Sequence, residues 1–173
     1  HLRDVLAEPS LSLRLGVNPG AKRRIAARVA GLIENGSSLF LDVGSTTAFV
    51  AQALRDHREL FVVTNSLTVA QALTGRGGNR VFMAGGELRP HDGGAFGAEA
   101  LAFIARFRVR HAILTAASVD ARAGFMLNDL HETEISRAIL TLAESATVVA
   151  DASKFGAAAP MLIAPPQAFD RLV

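Results

Sequence analysis

Cysteine, long apolar runs and a strong net charge are all missing from this sequence of 173 residues. The lack of cysteine excludes a disulfide framework, thiolate metal sites and cysteine nucleophiles, and it fits a reducing compartment. No apolar run approaches the roughly 20 residues that a helix needs to cross a bilayer, and no secretory signal is visible. We therefore expect a soluble protein of the cytoplasm without membrane contact.

The weak net charge of +2 argues against direct nucleic-acid binding by these residues. The basic residues are scattered, and we find no helix-turn-helix, zinc finger or aromatic stacking platform. The five histidines show no spacing typical of metal ligands, and no phosphate-binding loop or dinucleotide fingerprint is present. We predict neither a metal nor a cofactor.

Apolar runs alternate with amphipathic helical patterns along most of the chain, in which 50% of residues are hydrophobic. The runs are SSLFLDV, LFVVT, RVFMA, HAILTAA and ATVVAD, with PMLIA as a candidate sixth. Continuous apolar runs separated by helices are typical of a parallel sheet that is covered on both faces. The sequence thus predicts one α/β domain with a Rossmann-like, mostly parallel sheet and helices on both faces.

The start of the chain differs from this pattern. Residues 1–19 contain Pro9, Gly16 and Pro19, so we expect an irregular linker followed by a domain over residues 20–173. The segment KRRIAARVAGLIENG predicts a helix that ends at Asn35-Gly36. The chain begins with histidine and ends on an incipient strand pattern, so we expect both ends to be cut from a longer protein.

Small, hydroxyl-bearing or charged residues follow each predicted strand. In a parallel sheet these strand ends share one edge, where ligands bind. Gly44, the hydroxyl groups after it and a helix N-terminus are suited to holding a phosphate. The candidate ligand-binding residues are Asp42, Gly44, Ser45, Thr46, Thr47, Thr64, Asn65, Gly85, Gly86, Arg89, Glu134, Asp151 and Lys154.

Each of these positions also has a simpler interpretation. Ser45 or Thr46 can be an ordinary helix cap, and Gly85-Gly86 can be a turn. Glu134 is either a partner for a cation at the strand ends or a solvated residue. Lys154 is distinctive because it and Lys22 are the only lysines in a chain that otherwise uses arginine.

The segments LDVGSTT, VVTNSLTVAQAL, MAGGELR, FGAEAL and VVADASKFG resemble, in order and spacing, the C-terminal sensor domain of DeoR-family transcriptional regulators. The resemblance covers about residues 18–173. It implies the fold of ribose-5-phosphate isomerase and glucosamine-6-phosphate deaminase, and it places the ligand at the candidate residues above, Thr47 excepted. Thr115 and Ser118 stand where the family usually has glycines, which predicts a narrower crevice. Ala152 replaces a usual serine, which removes one hydrogen-bond donor.

The resemblance also implies a function. Such a domain binds a phosphorylated sugar or related metabolite, and it changes operator-DNA binding by an N-terminal winged helix-turn-helix outside this chain. Family members are often repressors of sugar catabolism, and they are commonly dimers or tetramers through this domain. The alternative is a sugar-phosphate isomerase or deaminase, with Asp42, Glu134 or Asp151 as the base and Lys154 polarising a carbonyl, because the same residues suit either role.

Overall fold

The computed structural model of the protein describes residues 8–173. In this range the α-helices are Leu11–Leu15 (α1), Pro19–Ala30 (α2), Ser45–Ala53 (α3), Leu67–Leu73 (α4), Ala98–Ile104 (α5) and Leu130–Leu142 (α6). The strands are Ser38–Leu41 (β1), Phe61–Thr64 (β2), Arg80–Met83 (β3), Val109–Thr115 (β4), Ser118–Asp120 (β5), Gly124–Leu127 (β6), Ala143–Val149 (β7), Met161–Ala164 (β8) and Arg171–Leu172 (β9).

The main sheet has six parallel strands in the order β3-β2-β1-β4-β7-β9. The chain builds outward from β1 to β3, then returns to the other side of β1 with β4. The strand order therefore reverses between β1 and β4, and the loops that follow these two strands leave the sheet in opposite directions. Such a switch point is where open α/β sheets bind ligands.

Alternating residues of the strands pack on the two sides of the sheet. Leu39 and Leu41 of β1 contact helices α2, α3 and α4, whereas Phe40 belongs to a second cluster with α5 and α6. All three side chains are completely buried. The predicted sheet with helices on both faces is confirmed.

A second, antiparallel sheet of the order β5-β6-β8 was not predicted from the sequence. The segment PMLIA is a strand, but it belongs to this small sheet as β8, and β9 is the sixth strand of the main sheet. The β5–β6 turn is held by the Asp120 carboxylate, which accepts hydrogen bonds from the amides of Arg122 and Ala123. The turn is longer than two residues and has no Asn-Gly or Asp-Gly pair, which is the sequence signal that best predicts a hairpin.

Two expectations about the first part of the chain are wrong in detail. Helix α1 lies within the segment that we expected to be irregular, and the hydroxyl of Ser10 caps it by accepting from the Leu13 amide. Helix α2 ends at Ala30 rather than near Asn35, because the amides of Leu32 and Ile33 bond to the carbonyls three residues back instead of four. Ile33 is nevertheless buried, which explains why the apolar periodicity continues beyond the helix.

Residues 1–7 of the expected linker lie outside the described residues, and the division into linker and domain stays a prediction. Within residues 8–173, no helix combines the length and the apolar character that a bilayer crossing requires.

The junction between the two sheets yields a stability prediction. Gly124 has φ +112°, and a Cβ there would lie 2.2 Å from the carbonyl oxygen of Ala164 and 2.8 Å from Cα of Pro165. We expect Gly124→Ala to lower the unfolding free energy by about 3 kcal/mol or more, because backbone atoms of β8 must move. Urea unfolding followed by circular dichroism measures this loss.

Gly156→Ala is the matched control, since Gly156 also has positive φ, +73°, but a Cβ there meets nothing within 4 Å. Its loss should be about 1–2 kcal/mol, from the backbone conformation alone. Equal losses for the two variants would contradict the packing argument.

Candidate functional site

A cavity of about 580 Å³ lies at the switch point, beyond the carboxyl ends of β1, β4 and β7. Its polar lining comes from these strand ends, from the start of α6 and from the first part of the chain. The polar lining residues are Glu8, Arg14, Lys22, Ser45, Thr46, Thr115, Asn128, Glu132, Asp151, Ser153 and Lys154, with Gly44 between them.

The N-terminus of α3 opens into this cavity. Gly44 is the N-cap residue, and in this described helix no side chain caps the first turn. By contrast, α4 is capped by the Ser66 hydroxyl, which accepts from the Val69 amide at 3.2 Å. The first amides of α3 and the hydroxyls of Ser45 and Thr46 are therefore available to an anion, as a helix N-terminus favours.

Thr47 is the exception among the predicted hydroxyl residues after β1. Its hydroxyl donates to the Gly44 carbonyl at 3.0 Å, and the residue is fully buried and does not line the cavity. Thr47 thus shapes the turn rather than presenting a donor to the cavity.

Asp42 joins the ends of β1 and β4 beneath the cavity. Its carboxylate accepts the Val43 amide at 2.8 Å, and it accepts the Thr115 amide at 3.3 Å and hydroxyl at 3.1 Å. Asp42 is 3% exposed and lies behind the lining residues. Burial raises its pKa to about 6, although the hydrogen bonds from Thr115 and Val43 act in the opposite direction.

The close contact between Gly44 and Thr115 fixes the floor of the cavity. A Cβ at position 44 would lie 2.8 Å from Cγ2 of Thr115, so only glycine fits beside this threonine. Thr115 lines the cavity, and the narrowing of the crevice by its side chain stays a prediction. Ser118 does not contribute, because its buried hydroxyl donates to the Ala157 carbonyl at 2.6 Å.

Asp151 and Lys154 lie together at the end of β7. The Asp151 carboxylate caps the short 3-10 helix Ala152–Lys154 by accepting the Ser153 amide at 2.9 Å and its hydroxyl at 2.5 Å. Burial alone would raise the pKa of Asp151, but these hydrogen bonds and the positive charges of Lys154 and Lys22 lower it. An ionised carboxylate and an ammonium group therefore border the same cavity.

Lys22 is a residue of this site that our sequence reasoning missed. It is 4% exposed, lines the cavity and donates from Nζ to the Arg14 carbonyl at 2.5 Å. Burial lowers the pKa of Lys22. The negative charge of Asp151 acts to raise this pKa, and the positive charges of Lys154 and Arg14 lower it further. The sequence offered only the rarity of lysine as a signal, since the chain has two lysines and only Lys154 follows a strand.

Arg89 lies behind one wall of the cavity in a network of ion pairs. It bonds Asp92 through Nε at 3.1 Å, pairs closely with Glu132, and stacks 4.1 Å from the centre of the Phe96 ring. Burial raises the pKa of Glu132 above its usual range, with Arg89 opposing. Arg89 therefore does not line the cavity; it pairs with Glu132, which does.

Glu134 does not reach the cavity. Its side chain is 50% exposed and lies 3.5 Å from His131 on the outer face of α6. Glu132, two positions earlier, lines the cavity instead. The helical periodicity explains the correction, since Glu134 directly precedes the buried Ile135 but points to a different side of the helix.

Four further candidates lie at the ends of β2 and β3, away from the cavity lining. The Thr64 hydroxyl donates to the Leu41 carbonyl at 2.7 Å, and the amide of Asn65 donates to the Ala95 carbonyl at 3.2 Å. Gly85 and Gly86 are exposed and have open space where a Cβ would lie. None of these four residues is among those that line the cavity.

The fold and site define a class: an α/β domain with a polar, anion-compatible cavity at its switch point. The family model of the DeoR C terminal sensor domain matches residues 17–173, so the chain belongs to this family. The resemblance read from the sequence is confirmed.

Curated relatives agree with this assignment. The glycerol-3-phosphate regulon repressor of Escherichia coli is 44% identical over 135 residues, which are 78% of this chain and 54% of that protein. The transcriptional repressor CsqR of Escherichia coli is 34% identical over 142 residues, 82% of this chain and 54% of that protein. This chain therefore spans about half the length of the relatives that it matches.

Solved structures show the same fold. A ribose 5-phosphate isomerase from Methanocaldococcus jannaschii has a TM-score of 0.57 at 16% identity, covering 80% of this chain and 55% of that one. A probable sor operon regulator from Shigella flexneri has a TM-score of 0.55 at 11% identity, covering 77% and 75%. The expected likeness to the isomerase fold is confirmed.

The buried carboxyl of Asp42 makes a testable contribution to the pH dependence of stability. Its pKa is raised from 3.8 to about 6 in the folded protein, so between these values the folded state holds a proton that the unfolded chain has released. This contribution to the unfolding free energy falls as pH rises through that window. Between pH 4.5 and 7.5, the unfolding free energy of the wild type should fall by about 2 kcal/mol relative to that of Asp42→Asn.

Urea unfolding of both proteins at the two pH values checks this difference, because other titrating groups are common to both. Asp56→Asn removes an exposed carboxylate and should show no such change. A wild type that gains stability relative to Asp42→Asn on going to pH 7.5 would contradict the raised pKa.

Proposed function

We propose that this domain is the ligand sensor of a DeoR-family transcriptional repressor, and that it binds a phosphorylated sugar or related metabolite in the switch-point cavity. Binding changes the affinity for operator DNA of an N-terminal winged helix-turn-helix that lies outside residues 1–173. The protein acts in the cytoplasm as a homo-oligomer. Ligand binding shifts the DNA-binding equilibrium to the extent that the ligand prefers one conformational state over the other.

The observation that carries this proposal is the combination of an uncapped helix N-terminus with two lysines in one cavity. The phosphate lies on the first turn of α3, where Gly44 permits close approach and Ser45 and Thr46 donate. Lys154 neutralises it. Asp151 and Asn128, which also line the cavity, are suited to the hydroxyl groups of the carbon chain.

Glycerol 3-phosphate is the first compound to test. A glycerol-3-phosphate regulon repressor is 44% identical to this chain, and a second such repressor, from Haemophilus influenzae, is 42% identical.

Several features favour a sensor over an isomerase. Asp42 lies behind the lining with its oxygens engaged by Val43 and Thr115. The Glu132 carboxylate pairs with Arg89, and Asp151 caps a 3-10 helix. A general base must reach the proton that it removes, and these hydrogen bonds hold each carboxylate in a structural role.

Binding is tested by titrating the 173-residue chain with glycerol 3-phosphate, glycerol and a panel of triose, pentose and hexose phosphates. We expect a phosphorylated compound to raise the melting temperature by mass action, and its unphosphorylated parent to have no effect. Lys154→Met should weaken binding by about 10- to 100-fold in calorimetry, because it removes a charge-assisted hydrogen bond.

Arg106→Met is the control for this experiment, since it removes one positive charge at an exposed position outside the cavity. It should bind as the wild type does. If no phosphorylated compound of the panel shifts the melting temperature of the wild type, the proposed function is wrong.

Catalysis is tested separately by incubating the chain with ribose 5-phosphate and glucosamine 6-phosphate. We expect no isomerisation or deamination above the uncatalysed rate. Turnover at ordinary enzymatic rates, on the order of 1–1000 per second, would favour the enzyme instead.

A further inference from the structure

The main sheet ends on two strands, β3 and β9, that each have a neighbouring strand on one side only. The edge strand β9 has two residues, whereas β3 has the four residues Arg80–Met83. Proteins commonly protect an open strand by keeping it very short, by placing a charge or a proline on it, or by covering it. In β3 the three residues after Arg80 are apolar, and all three are half-buried. These are the features of an edge that pairs with a further strand.

The pairing of β3 with β2 decides which of its backbone groups are free. Arg80 and Ala84 donate their amides to the carbonyls of Leu60 and Thr64, at 2.8 and 2.9 Å. In this parallel ladder Val81 and Met83 therefore direct their amides and carbonyls to the open edge. Within residues 8–173, no group forms a hydrogen bond with these two amides and two carbonyls. Four backbone groups are thus available to a further strand.

An aromatic cluster lies on one face of this edge. The ring centre of Phe82 is 4.7 Å from that of Phe61 and 5.2 Å from that of Phe107, which in turn is 5.2 Å from that of Phe103. The guanidinium of Arg80 stacks on the rings of Phe61 and Phe82, at 5.5 and 5.2 Å from their centres. All four phenylalanines are half-buried. Aromatic and arginine side chains of this kind are enriched in protein–protein interfaces.

Charges of opposite sign lie at the two ends of β3. Arg80 begins the strand, and Glu87 follows its carboxyl end. Both residues are exposed, and neither forms a salt bridge with another residue of the described range. When two copies of β3 run antiparallel, the amino end of one lies beside the carboxyl end of the other. The edge is therefore complementary in charge to a second copy of itself, as a two-fold interface requires.

We propose that a second copy of this chain pairs with the β3 edge in antiparallel orientation, so that the two main sheets join across a two-fold axis. The inference rests on one part of the proposed function, the homo-oligomer, and gives it a contact surface. One register uses all four free backbone groups, because Val81 of each copy then exchanges two hydrogen bonds with Met83 of the other.

The side chains agree with this register on both faces of the joined sheet. On one face Phe82 lies opposite Phe82 of the partner subunit, and Arg80 lies opposite the small Ala84. On the other face Val81 lies opposite Met83. No like charges oppose each other, and directly opposed apolar or aromatic side chains stabilise a pair of strands. The aromatic clusters of the two copies then form one continuous apolar surface.

Sedimentation of the 173-residue chain tests this surface. A single pair of strands makes a small contact, so we expect a reversible dimer at about 100 μM protein. Val81→Pro removes an outward amide from each copy without breaking a bond to β2, and the loss of two hydrogen bonds should weaken dimerisation by about 10-fold or more. Val81→Lys, which places a charge on the edge, replaces it if the proline variant does not fold.

Leu172→Pro is the matched control, because the amide of Leu172 also points away from the sheet, at the β9 edge. This variant should dimerise as the wild type does. Circular dichroism checks that each variant is folded.

The absence of cysteine from the chain allows a direct test of the register. In the proposed pair, position 82 faces itself at about 4.5 Å between Cα atoms, which a disulfide can span. Phe82→Cys should therefore form a covalent dimer on oxidation with copper phenanthroline. Arg80→Cys is the control on the same face, since its counterpart lies roughly 14 Å away, too far for a disulfide.

The outcomes separate the inference from the function on which it rests. If the wild type dimerises and the folded Val81 variant dimerises within twofold of it, the inference is wrong and the homo-oligomer stands. A folded Phe82→Cys that gives no more covalent dimer than Arg80→Cys also overturns the inference. A wild type that stays monomeric at all concentrations overturns both the inference and the homo-oligomer, whereas ligand binding is decided separately by the titration with glycerol 3-phosphate.

Discussion

The carboxylate of Asp42 links the two strands on which the rest of the site depends. The ladder between β1 and β4 ends where the Asp42 amide donates to the Ile113 carbonyl, and the chain departs from the two strands in different directions beyond that point. Asp42 does so by accepting the amide and the hydroxyl of Thr115. Burying this carboxyl raises its pKa, which is the energetic cost of placing it there. These hydrogen bonds hold the Thr115 side chain against Gly44, and the two residues together form the floor of the cavity.

The remaining charges divide into those that build the walls and those left for a ligand. Arg89 belongs to the first group, because Asp92 and Glu132 pair with its guanidinium and Phe96 stacks on it. Lys154 and Lys22 differ, since each presents an ammonium group to the cavity with little competition. Ion pairs that are satisfied within the protein stabilise its loops, whereas cations that lack a partner favour the binding of an anion.

The proposed sensor works through elements that the fold already places in contact. In that proposal, the ends of β1, β4 and β7 and the first turn of α3 hold the metabolite. A ligand that bridges two such elements contributes its binding free energy to the state in which they are close. The matched residues make up 54% of the length of two repressors to which this chain is similar.

The sequence by itself determined the alternation of strands and helices, the parallel sheet and the family, because the 2- and 3.6-residue periods and the ordered motifs are local signals. It also placed Ser45, Thr46, Asp151 and Lys154 at the strand ends, and these do line the cavity. Only the tertiary structure decided which strand ends meet: those of β2 and β3 lie to one side, so Asn65 and Gly86 are outside the lining. It alone brought in Lys22, because α2 is far in sequence from the loop after β7 and only packing places residues of both at one cavity. It also replaced Glu134 by Glu132, because which side of α6 is turned to the cavity depends on how that helix packs.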